Sequence, residues 1–324
     1  MNSIDRAIFV DEFLEISPYE IVRSVAEEGF FSFAKAVRQE FLTLLRSEIQ
    51  THRPAINSNK PAPVWYNDQF FFPHAMSCSQ AYFDYVTSKA LRNICEKKFA
   101  TDFRLKSHRY YETGFGHSME WHADNVTNDG VVTNVDGLIF ILYVNDVYDG
   151  EFQLVSGSYK ERQSGSWSYN YTNEFINDRY SSKIKSFAMP AGSLIVYDTY
   201  GIHRAKPIVT KGYTRKSIFF QVDADSRFAE QTLINPAFFR DCKPDLLEYL
   251  GFGKQHDFLP NPQSSIRNIP AKQLFRMVPQ IATALMYRLK LSIMETCLTH
   301  DQRMRYAKWR KGSSDELQRG SPKT

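Results

Sequence analysis

Apolar residues along the chain follow two periods, and the change from one to the other outlines the fold. From Pro18 to about Gln50 they recur every three to four positions. Phe30, Phe33, Ala34, Val37, Phe41 and Leu44 share one face, with Arg and Glu on the other, which predicts an amphipathic helix. Closely spaced prolines over 52–66 predict a loop, since they fit neither helix interior nor central strand. An aromatic run, Gln69 to His74, comes next. A second helical pattern over 79–98 places Tyr82, Tyr85, Val86, Leu91 and Ile94 inward. From Phe103 the period shortens. Runs at 103–112, 137–145, 151–155, 193–198 and 216–222 are separated by Gly, Asp and Asn, which predicts short strands joined by turns. The run from Gly137 is apolar as far as Val144, so that strand is expected to be covered on both faces. Such a series argues for a sandwich or barrel rather than parallel α/β units.

The stretch 156–186 interrupts the strands. It is rich in Ser, Tyr and Asn and carries Tyr159, Trp167, Tyr169, Tyr171, Phe175 and Tyr180. A loop this long inside a compact domain is functional or mobile, and with the Phe70–His74 run it is a candidate lid. Past Asp225 the pattern is helical again, with a Pro-bounded hinge at 258–263. A helix is predicted from Ala271 into the 290s, with Leu274, Val278, Ile281, Leu285 and Leu289 on one stripe. The expected organisation is helical support over 1–100, a β core over 101–225 and a helical extension over 226–324.

Composition narrows the class. With 324 residues, 43% of them hydrophobic, the chain can bury one large core plus a helical appendage. No run approaches the roughly 20 apolar residues of a membrane span. Residues 1–16 carry Asp5, Asp11, Glu12 and Glu15 where a signal peptide would be apolar. The four cysteines, Cys78, Cys95, Cys242 and Cys297, form no Cys-x-x-Cys. Reduced thiols and a cytoplasmic location are therefore expected rather than a disulfide framework or zinc ribbon. The net charge of +4 is uneven: residues 267–324 hold 12 Lys+Arg against 4 Asp+Glu, so the remainder is slightly acidic. The tail cluster Arg303, Arg305, Lys308, Trp309, Arg310 and Lys311 could grip phosphates or an anionic membrane surface. It reads first as the solvated end of a helix, so no nucleic-acid partner is expected. The Leu274–Leu289 stripe reads as core or oligomer packing before membrane contact.

The chemistry centres on Trp121-His122-Ala123-Asp124 and on His203, 79 residues beyond the aspartate. In an extended segment His122 and Asp124 point the same way. A His-x-Asp pair with one distant His is the sequence form of a 2-His-1-carboxylate set, which holds Fe(II) and leaves positions open. The competing reading is a common tripeptide and an ordinary buried histidine. Arg215 opens the strand Arg-Lys-Ser-Ile-Phe-Phe twelve residues after His203. Its guanidinium fork can receive a carboxylate in a way a lysine cannot, and Ser217 falls on the same strand face. Lys211 is a competitor for that carboxylate. His117 lies near His122 but reads as part of the loop before the metal strand. His74, His108, His256 and His300 have no ligand-spaced partners. His108 and Arg109 could face a pocket or solvent. His-Glu-x-x-His is absent, so a zincin protease is unsupported.

Taken in order, Tyr111-Glu-Thr-Gly114, Trp121-His-Ala-Asp124, Ile141-Leu-Tyr-Val-Asn-Asp146, Asp149-Gly-Glu-Phe152, Pro190-Ala-Gly-Ser-Leu-Ile-Val-Tyr-Asp198, Gly201-Ile-His-Arg-Ala-Lys-Pro207 and Arg215-Lys-Ser-Ile-Phe-Phe220 resemble the Fe(II)/2-oxoglutarate-dependent dioxygenases. The likeness is to the prolyl-hydroxylase-like and phytanoyl-CoA-hydroxylase-like branch. The resemblance implies a mainly β fold with flanking helices around a double-stranded β-helix (jelly-roll, cupin-like) core. It also implies Fe(II) on His122, Asp124 and His203, with O2 and 2-oxoglutarate as cosubstrates. Arg215 would hold the distal carboxylate, and Tyr143 and Tyr111 match tyrosines lining that pocket, with core packing as their alternative. The implied reaction is hydroxylation of a small organic molecule with release of succinate and CO2. The His-to-Arg interval is one or two residues longer than is usual in that branch. Retention of Asp124 argues against halogenation, for which related enzymes carry a small residue there. Two alternatives stay open: a cupin-type metal enzyme that does not use 2-oxoglutarate, and a non-catalytic binding protein that kept the fold.

Overall fold

The computed structural model describes residues 3–57, 64–66, 69–72, 74–117, 119–124, 135–164, 170–224, 232–240, 243–253, 271–299 and 302. It begins with helices α1 (Ser3–Ile8), α2 (Asp11–Leu14) and α3 (Pro18–Glu28). The start of α3 is fixed by a capping box: the Ser17 hydroxyl accepts from the Tyr19 N–H, and the Glu20 carboxylate accepts from the Ser17 N–H. Its end is fixed by Gly29 in the left-handed region, φ +90°. The single helix expected over 18–50 is therefore broken. Phe30–Phe33 is strand β1, and helix resumes only at α4 (Gln39–Asn57). The aromatic spacing is compatible with either period, and the glycine decides it. As a result Leu44 is exposed rather than inward, and α4 runs through the first of the prolines that predicted a loop.

Strands β2 (Val64–Tyr66) and β3 (Gln69–Phe72) follow, then α5 (Gln80–Val86) and α6 (Lys89–Lys98). These two helices replace the single one expected over 79–98. Its inward set, Tyr82, Tyr85, Val86, Leu91 and Ile94, is fully buried. The β region comprises β4 (Phe103–Thr113), β5 (Trp121–His122), β6 (Gly137–Tyr143), β7 (Phe152–Val155) and β8 (Asn170–Tyr171). Helix α7 (Asn173–Tyr180) intervenes before β9 (Ile184–Phe187), β10 (Leu194–Asp198), β11 (His203–Ala205) and β12 (Arg215–Ala224). Short helix α8 (Pro244–Tyr249) and long helix α9 (Ala271–Cys297) complete the described elements. The hinge at 258–263 lies outside the described residues.

Among the described residues the strands form two antiparallel sheets. The larger has the order β1-β10-β6-β12-β4-β3-β2 and the smaller β8-β5-β11-β7-β9. The first hundred residues thus give three strands to the larger sheet as well as helices. Central strand β6 shows how the layers stack. Leu138, Phe140 and Leu142 point into a core shared with the N-terminal helices, where Phe140 stacks on Phe220 at 4.6 Å. Ile139, Ile141 and Tyr143 point the other way, into a second core with Phe152, Leu154 and Phe187 of the smaller sheet. Both faces are covered, hence the continuous apolar run. Each such side chain withdrawn from water contributes about 1.5–3 kcal/mol.

Two compact units divide the chain, residues 1–268 and 269–324. In α9, Val278, Ile281, Leu285 and Leu289 of the expected core stripe are all exposed. The core reading of that stripe is therefore corrected. No helix among the described residues is long and apolar enough to cross a membrane. Cys78, Cys95 and Cys297 are free thiols, and Cys242 lies outside the described residues. Burial, aided by Glu48, pushes the Cys78 thiol up to about 12, so it is unreactive at neutral pH.

Candidate metal centre and carboxylate pocket

His122 and His203 are cross-strand partners: β5 pairs with β11 so that the two residues sit opposite each other. Directly opposed residues on neighbouring strands share a face, and the ring centroids lie 4.3 Å apart. Asp124 is two residues beyond His122, past the end of β5. Its N–H donates to Thr199 O at 3.1 Å, which ties the turn to the end of β10. The carboxylate reaches both imidazoles, with Oδ2 3.2 Å from His203 Nε2 and Oδ1 3.9 Å from His122 Nε2. One ligand atom from each residue falls within a 4.8 Å set.

The backbone fixes which nitrogens face inward. His122 Nδ1 lies 2.7 Å from Glu120 O, and His203 Nδ1 lies 2.9 Å from Gly201 O. A carbonyl can only accept, so each Nδ1 carries the proton and each Nε2 presents a lone pair. Burial lowers His203 to about 4, and proximity to His122 adds to the shift while Asp124 opposes it, so this imidazole is neutral. Two neutral imidazoles and a carboxylate with converging lone pairs fit a divalent iron with open positions.

Arg215 heads the inward-facing row of β12. Strand alternation places Arg215, Ser217, Phe219, Gln221 and Asp223 on one face, while Ile218, Phe220 and Val222 pack toward the helices. In register, Arg215 lies opposite Thr113, and Ser217 is flanked by Tyr111 of β4 and Tyr143 of β6. All four residues singled out in the sequence thus meet on adjoining rungs. Arg215 is buried, and one Nη donates to Gly150 O. Its Nε has no hydrogen-bond partner, and it makes no ion pair among the described residues. Burial lowers its pKa, while Tyr143, Tyr213, Tyr111 and Glu151 oppose the shift; Glu151 itself is ion-paired with Lys206 at 3.0 Å. A guanidinium keeps its charge even so. A buried cation without a direct ion-pair partner is costly, and the nearest interacting carboxylate, Glu151, is already engaged by Lys206, so Arg215 can take an anionic ligand. The competitor Lys211 is exposed, its ammonium 5.8 Å from the Phe115 ring.

The Tyr143 hydroxyl accepts the Phe152 N–H at 3.1 Å, which leaves its own proton free to donate. Burial raises this phenol to about 12, with Arg215 opposing, so it stays protonated. Phe152 links the two halves of the site. Its backbone meets Tyr143, and its ring lies 5.4 Å from His203 and 4.8 Å from Tyr197. Gly150, which receives Arg215, is two residues away, or about 7 Å of extended chain. That position requires glycine: φ is +64°, and a Cβ would come within 2.1 Å of Ile208.

No protein-family model matches the sequence, and no curated protein does. Solved structures resemble it. HygX from Streptomyces hygroscopicus, with nickel, 2-oxoglutarate and hygromycin B bound, is 14% identical over 65% of this chain and 90% of its own, with a TM-score of 0.50. The epimerase SnoN, in complex with Fe3+, alpha-ketoglutarate and nogalamycin RO, is 12% identical over 75% of this chain and 96% of its own, TM-score 0.52. The carbocyclase SnoK from nogalamycin biosynthesis is 12% identical over 65% and 86%, TM-score 0.50. The chain shares its fold with these solved structures. A fold hosts many reactions, so function is argued from the site.

Two features of the site escape sequence reading. Tyr197 of β10 is buried, and its hydroxyl lies 3.4 Å from both Asp124 Oδ2 and His203 Nε2. With Nε2 turned to the metal position, the phenol donates to the carboxylate, a long bond that steadies Asp124. Tyr197→Phe is expected to weaken Fe(II) or Co(II) affinity about tenfold while leaving the fold intact, the range usual for partners of metal ligands. Unchanged affinity in a metal titration would remove Tyr197 from the site.

The other feature is the 156–186 stretch. Its described part is structured: β8 pairs with metal strand β5, and β9 with β7. Ile176 and Tyr180 of α7 pack with Trp121, Ala123 and Ile202. Arg204 lies over Trp121 at 4.5 Å and donates to Asn173 at 2.6 Å. Trp121 points opposite to His122, so α7 buttresses the back of the metal strand. In the Phe70–His74 run, β3 pairs with β4 and Phe72 is fully buried. Ile176→Asp is accordingly expected to weaken metal binding along with any turnover. A lid would lose turnover alone, so metal affinity separates the two readings.

The other histidines stay outside the set. His117 lies in the loop before β5, where its carbonyl accepts from Ile208 N–H at 3.2 Å. His108 and Arg109 point to opposite faces of β4. His108 meets Tyr82 at 3.4 Å, and burial takes it down to about 3, with His74 and Arg109 contributing. Arg109 is buried over the Phe219 ring at 5.7 Å, on the inward face. His256 and His300 lie outside the described residues.

Proposed function

We propose that the protein is a non-haem Fe(II)- and 2-oxoglutarate-dependent dioxygenase on a jelly-roll core that hydroxylates a C–H bond of a small organic molecule. The observation that carries this reading is the buried Arg215, which makes no ion pair among the described residues, in one row with Ser217, Tyr143 and Tyr111. A metal set alone would suit many reactions. A metal set linked through Phe152 to the row that carries an anion-seeking arginine suits an acid that chelates at one end and is clamped at the other.

His122, Asp124 and His203 would hold the iron, which supplies activation of O2 beside the bound cosubstrate. Arg215 receives the distal carboxylate in its fork, and Tyr143 and Ser217 donate to the same oxygens, with Tyr111 closing the side. Phe152, Ile139, Ile141 and Ile195 keep the walls apolar and exclude water. In the balanced reaction, one oxygen atom of O2 enters succinate and the other enters the substrate, while the C1 carboxylate of 2-oxoglutarate leaves as CO2.

The molecules bound in HygX and SnoN, hygromycin B and nogalamycin RO, support a small organic substrate. The epimerase SnoN and the carbocyclase SnoK also place epimerisation and ring closure on this fold. The mass of the product tells these apart: a gain of one oxygen for hydroxylation, loss of two hydrogens for ring closure, no change for epimerisation. The basic test is succinate release from 2-oxoglutarate in air. It is expected to require added Fe(II) and to stop with a chelator. Metal-dependent turnover of an organic substrate without succinate would favour the cupin-type alternative.

A further inference from the structure

We propose that α9 is an in-plane anchor that lays the protein on an anionic lipid surface. The helix has 27 residues, about 40 Å at 1.5 Å per residue. Phe275, Leu285 and Met286 are 78%, 64% and 67% exposed, and Val278, Ile281, Leu289 and Ile293 are also exposed. At 100° per residue these seven side chains fall within an arc of about 140°, and the exposed Tyr287 lies about 100° beyond it. A continuous apolar face of that width in water calls for a cover.

Charge selects the cover. On the same wheel Arg288 flanks the arc beside Ile281, and Lys290 lies beyond Met286 on the other side. Long cationic side chains at the borders of an apolar face can bury their stems while their charges stay at headgroup level. The surrounding segment, 267–324, carries 12 Lys+Arg against 4 Asp+Glu, whereas the rest of the chain is slightly acidic. A second copy would bring an equally basic helix and repel along both borders. An anionic bilayer complements the charge and takes up the apolar side chains together. The helix does not qualify as a span, which leaves the interfacial position. Pro279 lacks an N–H for the hydrogen-bond ladder, and Thr283 Oγ donates to Pro279 O at 2.8 Å.

The test is cosedimentation of the full chain with phosphatidylcholine vesicles, with or without about one third phosphatidylserine. The expected result is at least about tenfold more bound protein on the anionic vesicles, with loss of binding at high salt. The paired variant L285D/L289D should abolish this binding while leaving Fe(II) affinity unchanged, since both positions are exposed. Equal retention of wild type and variant, or no retention of either, overturns the proposal. So does a wild-type dimer in sedimentation velocity that L285D/L289D dissociates while vesicles bind neither form.

Discussion

Replacing Arg215 with alanine is expected to raise the KM for 2-oxoglutarate about 10²–10³-fold while leaving Fe(II) affinity unchanged. The carboxylate would lose a charge-assisted, two-pronged contact from a buried guanidinium. Removing one partner of such a buried pair costs about 2–5 kcal/mol, and each 1.4 kcal/mol is about tenfold. Arg215→Lys should recover little, because an ammonium cannot both donate to Gly150 O and fork onto a carboxylate. Steady-state kinetics against 2-oxoglutarate, with a parallel metal titration, gives both numbers. If the metal centre works without 2-oxoglutarate, Arg215→Ala will leave activity near wild type. Lys211→Ala serves as the control: this residue is exposed, so the variant should keep its KM.

Asp124→Ala should remove metal-dependent turnover altogether. Loss of a partner of a metal ligand already weakens binding 10–100-fold or so, and Asp124 supplies the charged member of the set itself. Its carboxylate is the group that both histidines face. Without it, two neutral imidazoles remain, and metal affinity should fall by more than about 10²-fold. Asp124 is only partly buried and belongs to none of the three apolar cores, so the variant should fold. Wild-type-like melting with metal no longer shifting Tm is the expected pair of results. Retained metal binding would mean that the ligand set has been misassigned.

Different parts of this architecture were legible to different degrees. Strand β6 could be read at once, because a strand covered by helices on one face and a sheet on the other must be apolar at every position. Arg215 and Ser217 could be placed on one face because strand side chains alternate. The break at Gly29 was harder, since Phe30 and Phe33 satisfy a helical face as well as a strand. A left-handed glycine outweighs that periodicity. The 156–186 stretch is polar along most of its length and looks like a loop. Its few apolar anchors, Ile176 and Tyr180, acquire meaning only when Trp121 is found behind the metal strand. Tyr197 is a similar case. Nothing local marks it, because its nearness to Asp124 depends on how β10 of one sheet meets the end of β5 in the other. The pairing of His122 with His203 is likewise a matter of register, and the 80 intervening positions say nothing about register.

The central claim is that one cavity binds iron and 2-oxoglutarate together, and anaerobic titration tests it directly. Adding Fe(II) and then 2-oxoglutarate to the wild-type protein should produce a weak visible charge-transfer band that neither component gives alone. The band should be absent in His122→Ala, and in Arg215→Ala it should appear only at much higher 2-oxoglutarate. A wild-type protein that binds Fe(II) yet shows no band at saturating 2-oxoglutarate would contradict the account.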